Sequence, residues 1–162
     1  MKRLLPFLAL LCAIAVCDSY AAAKRGGFAL SFHLQGIEQD GEKFVFKDEI
    51  NGKTVYLSRI PTLTTDDIES FHPFDARNGT KGAVIQLNRR GTQHLESISA
   101  TASGRYLRAI ITRKSKPTPI DYVVIDRTVT DGRLVVWKGL NDDDIKSMDK
   151  YFKRLDPRTA SR

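Results

Sequence analysis

The residues able to do chemistry are scattered along this chain. His33, His72 and His94 stand far apart, and no two of them fall at the HxH, HxxH or HExxH spacings that put two imidazoles on one metal. The chain holds no GxSxG elbow, no P-loop, no GxGxxG after a strand and no EF-hand loop. A dispersed Ser/His/Asp hydrolase site stays open, because a triad is defined by geometry and not by order. No cofactor is expected. The dense basic clusters are Arg89-Arg90-Gly91 and the run Arg113-Lys114-Ser115-Lys116. Neither is interleaved with aromatics as platforms for single-stranded nucleic acid are. The candidate partner-binding residues are Arg105, Arg108, Arg113, Lys114 and Lys116. They would meet an anionic envelope surface such as lipid headgroups or wall polymer, and nucleic acid is not expected.

Two acidic clusters invite a catalytic reading and have a simpler one. Leu63-Thr64-Thr65-Asp66-Asp67-Ile68 echoes Leu140-Asn141-Asp142-Asp143-Asp144-Ile145. Each places carboxylates in a first helical turn just after a Thr or Asn cap, where capping and the helix dipole favour them.

The N-terminus says where such a domain would work. Met1-Lys2-Arg3 is a basic start, the 13 residues Leu4 to Val16 are apolar, and Ala21-Ala22-Ala23 offers a small-residue cleavage site. Residues 1–23 therefore read as a signal peptide, and the destination as the periplasm or the extracellular space. Lipidation at Cys17 would need a small residue where Val16 stands, which favours ordinary cleavage. The apolar run falls short of the roughly 18 residues that span a bilayer, so no transmembrane segment is expected in the mature protein. Both cysteines, Cys12 and Cys17, lie in the leader. The remaining chain, about 140 residues and basic like the whole (formal charge +7), is long enough for one packed domain.

Within that domain the period of the apolar residues names the elements. Phe28, Leu30, Phe32 and Leu34 alternate with Ala29, Ser31 and His33, as in a half-buried strand. Runs at 43–47 and 53–58, separated by Asn51-Gly52, predict with it a three-stranded meander. Thr64 is expected to cap a short helix buried through Ile68 and Phe71. Strand 83–87 and helix 89–102 follow, then strands 106–112 and 122–125 joined by a basic loop at 113–119. Leu134 to Trp137 is expected to join those two as a second antiparallel set. The last helix, 142–155, lines up Ile145, Met148, Phe152 and Leu155, and 156–162 reads as a disordered tail. These elements make an α+β domain over 24–155: a mixed or largely antiparallel sheet of six or seven strands with about three helices packed on it. Phe28 to Leu34 and Tyr122 to Ile125 are the candidate edges for strand addition by a peptide.

From Val55 to Phe152 this order resembles the head subdomain of the first periplasmic domain of SecD, a membrane subunit that assists protein export. The resemblance runs through Val55-Tyr56-Leu57 with Pro61, Leu63 to Ile68, the strand 83–87 leading to Gly91, Gly104-Arg105-Tyr106-Leu107, Val129 to Leu134, and Gly139-Leu140 entering the final helix. It implies a SecD head-like fold without a catalytic centre, and a non-enzymatic, exported module that engages a protein or peptide of the bacterial envelope.

Overall fold

The computed structural model describes residues 27–156. The leader 1–23 with Cys12 and Cys17, and the tail beyond Asp156, lie outside the described residues. Nine strands and two α-helices occur among them: β1 (Phe28–Leu34), β2 (Val45–Ile50), β3 (Lys53–Ser58), β4 (Ile68–Asp75), β5 (Lys81–Leu87), α1 (Arg89–Thr101), β6 (Tyr106–Arg113), β7 (Lys116–Val124), β8 (Arg133–Leu140), α2 (Asp142–Tyr151) and the two-residue β9 (Lys153–Arg154). Single 3-10 turns stand at Glu38–Asp40 and Thr65–Asp67. None of the described helices is long and apolar enough to cross a membrane.

The strands form three sheets, β1-β6-β7, β2-β3 and β8-β5-β4-β9, antiparallel except where β9 runs beside β4. The first and third send their apolar faces into one core, in which Leu30, Phe32, Phe71, Ile85, Leu107 and Val136 are fully buried. A second core, Ile50, Val55 and Leu57 with Phe46, Tyr106 and Tyr122 against them, fixes the β2–β3 hairpin to the outer face of the first sheet. Asn51 Nδ2 reinforces it by donating to the Tyr122 hydroxyl at 2.7 Å.

Four expectations need correction. The first is the meander: β1 does not pair with β2. The connection between them turns through Gly36 and the 3-10 turn, and β1 instead lies antiparallel to β6 from Phe28↔Arg113 to Leu34↔Leu107. The second is the helix capped by Thr64, which is only the 3-10 turn, so two α-helices stand where about three are expected. In a helix Pro73 would lose a hydrogen bond and strike the carbonyl of Glu69. In β4 it lies beyond the reach of β9, whose partners are Ser70 and Phe71, on an edge that needs no donor. Ile68 and Phe71 are buried all the same.

The third is the basic loop at 113–119, which is a tight hairpin. Lys114 and Ser115 adopt φ of 47° and 67°, the two left-handed positions of a type I′ turn, and Lys114 N–H is tied to the Gly27 carbonyl at 2.8 Å. β7 thus begins at Lys116, and β8 pairs with β5, not with β6 or β7. The fourth is the last helix, which ends at Tyr151. Phe152 turns extended but stays buried, its ring edge-on to Phe71 at 6.3 Å, and Leu155 N–H closes on the Phe71 carbonyl.

Both acidic echoes are capping boxes. Thr64 N–H donates to Asp67 Oδ2 at 2.8 Å, and Asn141 N–H donates to Asp144 Oδ2 at the same distance. Each of these carboxylates is buried, Asp67 to 1% and Asp144 to 3% exposure, and each meets an arginine. Arg90 Nε reaches Asp67 at 3.0 Å, whereas Arg113 grips Asp144 with Nε and Nη2 at 2.7 and 2.6 Å. Asp144→Ala would remove a cap and leave the partly buried Arg113 guanidinium without its carboxylate. A loss of about 3 kcal/mol is expected in urea unfolding, and Arg113→Lys should recover less than half of the stability lost in Arg113→Ala, because an ammonium cannot make the fork.

Candidate functional site, an aromatic cleft at a strand bulge

Trp137 is the largest exposed apolar side chain on the regular strands, 61% accessible on β8. It stands on the outward face of β8, in alternation with the buried Leu134 and Val136, and a bulge begins beside it. Along β8 the register jumps from Val136↔Ala83 to Leu140↔Lys81, so Trp137, Lys138 and Gly139 stand opposite the single residue Gly82. The bulge breaks the alternation at Lys138, which turns outward next to the ring.

The bulge is clamped by groups from three other elements. Trp137 N–H donates to Oδ2 of the buried Asp121, on β7, at 2.6 Å, and Gly139 N–H donates to Thr80 Oγ1, before β5, at 2.9 Å. The Gly139 carbonyl accepts from Arg113 Nη2, on β6, at 3.3 Å. Two glycines make room. Gly139 has φ +90° and lies so close to Ile120 that a Cβ would fall 2.7 Å from its side chain; at Gly82 a Cβ would meet the Phe74 ring and the Trp137 carbonyl. Phe74 therefore lies flat over Gly82, and Trp137 packs edge-on against it with ring centroids 6.0 Å apart.

Beside these rings opens a cleft of about 400 Å³, walled by Phe74, Asp75, Arg77, Asn78, Trp137 and Lys138. Its surface is an apolar floor with a charged rim. A smaller neighbouring cleft, about 260 Å³, is lined by Lys81 and Arg154, cations already engaged by Asp75 and by Asp149.

The five basic residues expected to bind a partner do not form one patch. Arg108 Nε lies 2.8 Å from Asp48 Oδ2, both side chains under a fifth exposed; the two atoms are not aligned for a hydrogen bond, so the contact is coulombic. Arg113 is held by Asp144, which raises its pKa further through that hydrogen bond. Arg105, Lys114 and Lys116 are exposed, but the eight residues of β6 separate the first from the other two by about 26 Å. Of the two candidate edges, β1 is closed on its free side. Phe32 N–H donates to the Leu63 carbonyl, Thr62 N–H to the Phe32 carbonyl, and Leu30 exchanges hydrogen bonds with Thr65 Oγ1. β7 carries Pro117 and Pro119 and turns Asp121 towards β8.

The histidines separate likewise. His94 is exposed and His72 half-buried, while His33 sits under Phe46, ring to ring at 5.8 Å. Its Nδ1 is 2.8 Å from the Ser58 carbonyl, which only accepts, so Nδ1 carries the proton and Nε2 accepts from Ser31 Oγ at 2.9 Å. That is the contact of a nucleophile and its base. Burial, however, pushes the imidazole pKa below its ordinary value, which weakens His33 as a base. The pair instead pins the β2–β3 hairpin to β1. Among the described residues no three His, Cys, Asp or Glu side chains gather as a metal site.

Sequence reading treats Trp137 only as a strand residue. The signals available were the lone tryptophan followed by Lys138-Gly139 and the glycine within Lys81-Gly82-Ala83, since a glycine inside a strand marks a bulge or a close approach.

Two outcomes follow. Gly139→Ala meets both the left-handed φ and Ile120, and should cost about 2 kcal/mol or more in urea unfolding. Because the folded pKa of His33 lies below the unfolded value of 6.5, its contribution is complete above that pH and is lost as pH falls through the folded value. The urea midpoint should therefore drop between about pH 7.5 and 5, and drop less in His33→Gln; equal drops would remove His33 from the account.

No protein-family model and no curated protein sequence matches the chain. Solved structures of SecDF are among those that resemble it. A structure of SecDF, described as a membrane component that enhances protein export, aligns with 18% identity over 88% of this chain and 72% of its own, at a TM-score of 0.49. A crystal structure of SecDF in a super-membrane-facing form aligns with 18% identity over 81% of this chain and 19% of its own, at a TM-score of 0.45.

Proposed function

We propose that this chain is a non-enzymatic binding module, exported to the bacterial periplasm or envelope, that engages a protein or peptide through the cleft beside Trp137. The observation that carries the reading is the clamped bulge. A tryptophan 61% exposed on a regular strand leaves a large apolar surface in water, and here that surface is held in place by Asp121, Thr80 and Arg113 with two glycines cut to fit. Rigid tryptophans of this kind are the side chains on which protein interfaces concentrate their binding energy. A side-chain anchor also fits the outer edge of β1, whose central backbone groups at Leu30 and Phe32 are already bonded and so closed to strand addition. The division of the basic residues supports it against a purely electrostatic attachment.

The test is selection from a displayed random-peptide library with the full chain, followed by affinity measurement on the enriched peptides. Trp137→Ala should weaken them at least about thirty-fold, the scale of an interface hot spot, while its unfolding free energy stays within about 0.5 kcal/mol of the parent. Peptides that bind Trp137→Ala as well as the parent would place the binding surface elsewhere.

A further inference from the structure

The rim of the Trp137 cleft holds two cations that no described residue neutralises. Arg77 follows β4 and Lys138 follows Trp137; both are exposed, and among the described residues neither has a carboxylate in contact. Asp75, the acid of the same lining, faces Lys81 at 2.5 Å and is thereby offset. The cleft thus presents an apolar floor of Phe74 and Trp137 between an arginine on the β4–β5 hairpin and a lysine on the bulge. A basic segment laid across it would bring like charges together, and a purely apolar one would strip water from the two cations without replacing it. An apolar side chain on the floor with a carboxylate to each side satisfies both parts.

From this complementarity we infer that the cleft takes an extended acidic peptide segment, one apolar residue flanked by aspartates or glutamates. The inference rests on the peptide-binding reading above and narrows its ligand. Each rim contact is a solvent-exposed charge pair, so the two together are worth roughly a factor of ten in affinity, and salt screens them.

Trp137 is the single tryptophan of the chain, so its fluorescence reports on the site directly. The full chain is titrated with three peptides sharing a leucine-phenylalanine core, flanked by glutamates, by glutamines or by lysines, and with vesicles containing phosphatidylglycerol. The glutamate peptide should shift the emission and bind roughly ten-fold more tightly than the glutamine peptide, with the lysine peptide weakest. Raising the salt to about 0.5 M should shrink the difference, and the double variant Arg77→Gln/Lys138→Gln, its urea midpoint unchanged, should abolish it. Equal binding of the glutamate and glutamine peptides would overturn the acidic preference and leave the peptide-binding reading standing. Silence from all three peptides would overturn both, and vesicles that outcompete the glutamate peptide would replace the peptide with an anionic lipid surface.

Discussion

The fork between Arg113 and Asp144 is the contact on which the rest of the architecture turns. Asp144 caps α2 through Asn141, Arg113 ends β6, and the same guanidinium reaches the Gly139 carbonyl in the β8 bulge. One buried carboxylate thus ties the start of a helix to the end of β6 and, through the arginine, to the bulge next to Trp137. Burying the carboxylate is costly in itself, and the arginine and the Asn141 N–H offset it. Asp67 does the same for the 3-10 turn before β4, with the more exposed Arg90 of α1, so the motif repeated in the sequence is a repeated solution to one electrostatic problem.

The first and third sheets touch at β7 and β8, and a side chain spans the junction. Asp121 gives a carboxylate to the Trp137 amide where a continuous sheet would place a backbone carbonyl. Pro119, two residues earlier, has no amide to offer, so a regular ladder could not form there. The bulge, the proline and the buried aspartate are three aspects of one mismatch between neighbouring strands, which lies directly beside the exposed ring.

Much of this was legible in the order of residues. The alternation of Phe28, Leu30 and Phe32 marks β1, the spacing of Ile145 and Met148 marks α2, and the caps at Thr64 and Asn141 lie where the acidic clusters stand. Pairing was less legible, because β1 is equally apolar whether it meets β2 or β6, and the choice belongs to the core that closes around it. The hairpin at Lys114-Ser115 lacks the Asn-Gly chemistry that announces the one at Asn51-Gly52; the Gly27 carbonyl and the flanking pairing hold it. The cleft was hidden for the same reason. No residue in it is unusual alone, and only the register of β4 against β5 brings Gly82 beneath Phe74, while that of β5 against β8 sets Trp137 beside it.

The pairing of β1 with β6 also governs the order of assembly. Leu30 finds its partner at Ile111, and β4 finds β9 only at Lys153 and Arg154, so the core is closed by contacts between residues about 80 positions apart in the sequence. Closing such loops early is entropically expensive, and folds dominated by them form slowly. The β2–β3 and β4–β5 hairpins can form from local sequence as the chain emerges, whereas the strand that opens the domain stays without its partner until the second half is present. A domain wired in this way has no closed core until both halves of its sequence are present, so its folding is a late and collective event.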